Sequence, residues 1–336
     1  MIKIKKIGAL LLAAIMVFSL TACGNSGEDS EDLLITSVGE VNEVENTVVK
    51  VMEAEESESE LDIKHAIFTD GNIVLKNSAQ VKGDVAAKSV DIGNNAKILG
   101  DVAAKSVDIG NNAKILGDVD LKPETKYEEF IFPDIPLNDS KEKIEIPNSG
   151  RYTINSSASY REIDIKNSGV LTIDASNSDI LLNVRKLTVG NSGKVIIKGS
   201  NKVTFYLEDT DWNNSSSLTY ESRGIDTATV DIYHYGNKKI DLGNRVELSF
   251  NLFIKEADLN LKNSSALRGN VFSNGRKVDV NNSVNYKGLI YAVNANVDIK
   301  NSGRVYGAIV ANQVELGNSS YVEYNEAYIS DLFRWE

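Results

Sequence analysis

The chain has 336 residues, 42% of them hydrophobic and 25% charged, the balance of a globular protein rather than of a disordered chain or a membrane bundle. One Cys allows no intramolecular disulfide, and two His leave no Cys-rich or multi-His zinc site. The net charge of −12 argues against nucleic acid as a partner, which needs a basic footprint.

The charge is unevenly placed. Residues 1–22 carry Lys3, Lys5 and Lys6, followed by an apolar run of about 14 residues. A membrane-spanning helix needs about 20, so the pattern predicts a signal peptide. The run ends in Leu20-Thr21-Ala22-Cys23, which resembles the lipobox of bacterial lipoproteins. The resemblance implies a diacylglyceryl thioether on Cys23, a further acyl group on its amine, and an extracytoplasmic protein anchored to the cell membrane through that lipid. Two or more acyl chains hold a protein stably where one does not.

Residues 23–60 hold twelve Asp and Glu against Lys50 alone. Such a segment buries too little apolar surface to offset its ordering entropy and predicts an acidic, extended stalk. Val38, Val41, Val44, Val48, Val49, Val51 and Met52 form an apolar series within it that suits a short strand or helix. The remaining residues, 61–336, are nearly neutral, with a formal charge of −4.

An internal repeat decides the fold. Residues 83–99 read GDVAAKSVDIGNNAKIL, and residues 100–116 repeat them without a change. Gly117-Asp118-Val119 opens a third copy and departs. A looser form recurs as IVLKNS at 73–78, IEIPNS at 144–149, IDIKNS at 163–168, LTVGNS at 187–192, LNLKNS at 259–264, VDVNNS at 278–283, VDIKNS at 297–302 and VELGNS at 314–319. Its Asn falls at 77, 94 and 111, then at 244, 263, 282, 301 and 318.

Each copy alternates apolar and polar residues, the period of a strand with one buried face. Each ends in residues that turn the chain and tolerate left-handed backbone. The prediction is an all-β, right-handed parallel β-helix (β-solenoid) with coils of about 17–19 residues, each adding about 4.8 Å along the axis. A helix is excluded by the apolar spacing of two and the poor helix formers. A calcium-binding nonapeptide roll is excluded by the missing G-G-x-G-x-D repeat.

VDIGNNAKILGDV is similar to bactofilins, cytoskeletal β-solenoids that polymerise end to end. That likeness covers residues 61–121 and implies possible end-to-end self-association. A second signature, GLIYAVNANVDI with YGAIVA and VELGNSSYVEYNEA, resembles a domain of unknown function found in some pilus-assembly proteins and clostridial lipoproteins. It implies a right-handed solenoid at the cell envelope and carries no catalytic residues over. Residues 122–143 hold three of the four Pro, at 123, 133 and 136. They break the repeat and predict an irregular connector between a short segment at 61–121 and a main solenoid at 144–336.

Four groups of side chains could carry chemistry. Asp91, Asp108, Asp164, Asp241, Asp279 and Asp298 sit between the inward residues of their copies. They predict an outward column, read as a solvated face eased by Lys88, Lys97, Lys105 and Lys114 rather than as a cation stripe. Asp209, Asp211 and Asn213 offer oxygens at alternate positions, but Asn214 and Tyr220 stand where a calcium loop needs Gly and Glu. They are read as a polar loop. Tyr286, Tyr291, Tyr306, Tyr321, Tyr324 and Tyr328 are read as strand-covering aromatics, with sugar stacking as the sharper alternative. His65 and His234 lie near no nucleophile signature.

The expectation is therefore a non-catalytic envelope protein, a rigid spacer, scaffold or adhesive surface. No catalytic, cofactor-binding or metal residues are expected, and a cell-envelope protein or glycan is the expected class of partner. The alternative is a glycan-binding or glycan-cleaving β-helix, which would need carboxylates gathered in a cleft.

Overall fold

In a computed structural model, residues 36–37, 48–49, 63–120, 127–135, 140–221 and 230–330 are described. Cys23, the signal segment and nearly all of the stalk lie outside them. Within residues 1–62, Thr36–Ser37 pairs antiparallel with Val48–Val49, so part of the apolar series of the stalk forms a strand.

The rest is a parallel β-solenoid of about 13 turns with about 19 residues per turn. Every described pairing in it is parallel, such as Ile144 with Ile163 and Val278 with Val297, and the register shifts once, between Ala292 and Asn296. The alternation explains the stacking. Inward residues such as Ile163, Leu187, Val278, Val297 and Val314 are at most 1% exposed and stack in one apolar column. A single coil has nothing to pack against, so the fold exists only as a stack.

The motif's corner is uniform. The residue after each motif Asn adopts left-handed backbone, from Ser78 at φ 59° to Ser319 at φ 55°. Its N–H donates to the Asn carbonyl of the next coil, as Ser264 does to Asn282 at 3.0 Å. Side-chain amides add a second ladder. Asn94 Oδ1 accepts from Asn111 N–H at 2.8 Å, and Asn301 Oδ1 accepts from Asn318 N–H at 3.0 Å. Asn therefore serves twice, once through its carbonyl and once through its side chain.

The repeat's leading Gly has a steric cause. Gly83 has φ +119°, and a Cβ on Gly100 would lie 2.4 Å from the Gly83 carbonyl. The coils approach there through bare backbone.

The mean coil length of about 19 residues agrees with the spacing read from the sequence, and individual coils depart from it. Central coils repeat after 23, 24 and 30 residues, as in Arg185–Glu208, Asn167–Asn191 and Asn214–Asn244. The longer coils carry extra residues between strands, while strand register and corner are kept.

Residues 63–120 stack on the coils of residues 143–324 in one continuous solenoid. They continue those coils from their C-terminal side: Arg304–Leu316 pairs with both Ile67–Thr69 and Asn72–Leu75, and Tyr321–Tyr324 pairs with Gln80–Lys82. The stack begins at Lys143–Ile146, runs through Tyr321–Tyr324, and then proceeds from Ile67–Thr69 to Val119–Asp120.

The connector runs back along one flank. Phe68, Tyr291, Phe272, Phe253 and Tyr233 stand in neighbouring coils, with Tyr233–Phe253 and Phe253–Phe272 stacked at 4.5 and 5.3 Å. Tyr127 packs on Phe68 and Tyr291. Phe130 packs on Phe272 and Phe253, and Phe132 packs on Tyr233. Tyr291 Oη donates to the Glu128 carbonyl, and Asn274 Nδ2 donates to the Phe130 carbonyl at 2.9 Å. The strap buries aromatic surface that the solenoid would otherwise leave to water.

Candidate functional site

The carboxylate column exists. Register aligns Glu145, Asp164, Thr188, Asp211, Asp241, Asn260, Asp279, Asp298, Glu315, Val74, Asp91 and Asp108 through successive coils. Glu145 and Glu315 hold the same place in the motif copies IEIPNS and VELGNS with Glu instead of Asp, and Asp211 lies in TDWNNS, a copy whose first residue is Thr.

The counterions differ from those expected. Lys166 pairs with Asp164 at 2.6 Å, Lys262 with Asp241 at 3.2 Å and Lys76 with Glu315 at 2.6 Å. Lys277 lies 3.0 Å from Asp279 and 3.5 Å from Asp298, and Lys300 lies 2.9 Å from Asp298. Lys97 and Lys114 stand on a different strand, paired in register with each other. Lysines two residues before or after the column position share its outward face and meet the carboxylate of their own coil or of the neighbouring one. Hydrogen bonding to Asn260 and Lys262 and the charges of Lys262 and Lys239 outweigh desolvation and hold Asp241 below its ordinary value.

Asp209 and Asp211 are not in a loop. They lie on the strand Val203–Trp212, and Asn213 follows at the corner. Lys238 reaches Asp209 at 2.9 Å and Asp211 at 3.9 Å, and Lys186 reaches Asp211 at 3.7 Å. Among the described residues no three His, Cys, Asp or Glu side chains are grouped to hold a metal. Asp209 edges a groove of about 500 Å³ whose other charges include Arg185, itself 3.0 Å from Glu208.

The tyrosines separate by role. Tyr286 is wholly buried, its hydroxyl 2.8 Å from the Gly269 and Leu289 carbonyls. Tyr291 lies under the strap, and Tyr324 Oη donates to the Ile63 carbonyl at 2.7 Å. Lys287 sits over the Tyr328 ring at 5.2 Å. Tyr306 and Tyr321 instead edge an open cleft of about 450 Å³, their ring centroids 5.9 Å apart.

His234 is fully buried, between Leu207 and Ile254 in register. Burial pushes its imidazole down to about 4, against the opposing pull of Asp209. His65 is also held below its ordinary value by burial. No helix among the described residues is long and apolar enough to cross a membrane.

A family model described as a domain of unknown function, DUF7305, matches residues 137–330. No curated protein matches the chain. A solved structure of an ice-binding protein from the Antarctic ascomycete Antarctomyces psychrotrophicus is similar at 12% identity, covering 78% of this chain and 95% of its own, with a TM-score of 0.21.

Proposed function

We propose that this chain, which belongs to the DUF7305 family of unknown function, is a non-catalytic lipoprotein of the bacterial cell envelope. It serves as a rigid spacer, scaffold or adhesive surface, with lipid on Cys23 as its anchor and an envelope protein or glycan as its partner. The observation that supports a scaffold most directly is the pairing of two identical coils, residue on identical residue, from Val85 on Val102 to Ile92 on Ile109. A whole coil inserted in this way lengthens the stack without altering any other contact, whereas a catalytic cleft built across coils would be displaced.

The strand Ile67–Thr69 has coils on both sides and is not terminal. The terminal coil exposes Ile109, Leu116 and Val119 by 52, 66 and 48%. Self-association through that end is part of the proposal.

Fractionation of cells expressing Cys23→Ser tests the anchor. Loss from the membrane fraction, or accumulation of the unprocessed chain, is expected. Unchanged processing and membrane association would refute it. Glycan binding is the second reading, favoured by the open Tyr306–Tyr321 cleft.

A further inference from the structure

We infer that the cleft at the junction between the C-terminal coils and residues 63–82 binds an oligosaccharide bearing carboxylates, and this inference rests on the glycan-binding reading. Register places Arg304, Tyr321 and Gln80 side by side on three coils, with Tyr306, Glu323 and Lys82 beside one another two residues further along. Outward side chains so arranged form a grid about 4.8 Å by about 6.7 Å, close to the dimensions of one sugar ring. Four of the six come from the C-terminal coils and two from residues 63–82, so the site exists only where the two parts of the chain stack.

Each group has a chemistry that suits a sugar. The Tyr306 and Tyr321 rings are inclined at 60° and give apolar faces for C–H groups, with hydroxyls at their rims. Gln80 offers a planar amide with two donors and an acceptor. Glu323 is held in place, accepting from Lys82 Nζ at 2.6 Å and from Tyr321 Oη at 2.9 Å. The first of these bonds holds its carboxyl below the usual range. Burial, then the bond to Glu323, pushes Tyr321 up to about 12, so its hydroxyl keeps its proton at neutral pH.

Charge selects the ligand class. Lys82 and Glu323 neutralise each other. Arg304 is exposed, and no carboxylate among the described residues pairs with it. A guanidinium left open beside two rings is a bidentate seat for a carboxylate. Lys97 is exposed and follows Gln80 in register on the next coil, which gives a second positive charge one coil further along. The cleft is open along the stack, so an extended chain of sugars fits it better than a single enclosed residue.

Titration calorimetry of the full chain with a galacturonic acid hexamer, and with a neutral N-acetylglucosamine hexamer, tests this. Binding of the acidic hexamer is expected, at least tenfold weaker in Arg304→Ala and in Tyr306→Ala, and falling with added salt. Both side chains point outward, so thermal melts of the variants should match the parent. Gln80→Ala gives an independent reading from the other part of the chain, should either variant fail to fold. Absence of acidic-hexamer binding, or binding indifferent to Arg304→Ala, would overturn the inference. Equal affinity for both hexamers would overturn the charge selection and leave the general glycan-binding reading standing.

Discussion

The backbone N–H of Ser319 donates to the carbonyl of Asn77 at 3.1 Å. The bond is the same corner bond made elsewhere between consecutive coils, yet its partners lie near opposite ends of the solenoid sequence. Residues 63–120 therefore fold as a continuation of the C-terminal coils, and an engineered disulfide can test it. Lys82 and Glu323 are register partners, about 4.8 Å apart at Cα and within disulfide reach. Lys82→Cys with Glu323→Cys, in a Cys23→Ser background, should oxidise within one chain and change its mobility on non-reducing gels. Removal of one exposed ion pair costs at most about 1 kcal/mol, so the fold should survive. Failure to crosslink, or crosslinking only between chains, would reject this order of coils.

The strands, their inward faces and the Asn corner were legible because each is local: alternation sets the face, and Asn-Ser sets the turn. The order of coils was not. Parallel coils pair wherever end faces match, and the apolar face of Tyr321–Tyr324 accepts Gln80–Lys82 as readily as a downstream copy. Phe130 and Phe132 were the available hint, two aromatics in a connector with no strand pattern. The lysine partners of the Asp column were not legible from the duplicated coils. There, Gly93 and Gly110 occupy the positions held by Lys166, Lys262 and Lys300 in other copies.

Register within a coil is testable at adjacent residues. Ile299 is 1% exposed and lies between Val280 and Leu316. Ile299→Asp should cost about 3–5 kcal/mol by burying an unpaired carboxylate. Asp298→Asn removes the ion pairs of a half-buried carboxylate with the largely solvated Lys277 and Lys300 and should cost about 1 kcal/mol. Denaturant melts rank the two variants. The reverse ranking would mean that the strand is turned over or that the Asp column holds a stabilising ligand.

The strap limits how many coils the chain can hold. About 13 turns at about 4.8 Å each span about 60 Å. The residues between Asp120 and Lys143 reach at most about 75 Å. Deletion of residues 100–116 shortens the span by about 5 Å and rejoins like to like, so a cooperative, β-rich protein is expected by circular dichroism. Insertion of further copies should be tolerated until about three are present. Beyond that, the strap must lift from Phe253, Phe272 and Tyr291, and proteolysis at residues 127–135 should accelerate abruptly. A gradual rise with every inserted copy would show that the strap does not span the stack.

His234 should make the solenoid sensitive to acid. Its imidazole is held near 4 by burial, with Asp209 opposing and Lys238 reinforcing the shift. In the unfolded chain its pKa is about 6.5. Between those values the unfolded state binds the proton and the folded state does not, so stability falls as pH drops from about 6.5 towards about 4. The loss totals roughly 3 kcal/mol. Carboxylates such as Asp174, drawn down to about 2 by its bonds to Lys198 and Ser176, lose their contribution only at lower pH. His234→Leu separates the two effects, because its register neighbours Leu207 and Ile254 are apolar and a leucine can take the place without a charge. Urea melts at pH 7 and pH 4.5 should show the parent losing about 2 kcal/mol more than the variant. If parent and variant lose equal stability over that interval, His234 does not set the acid sensitivity.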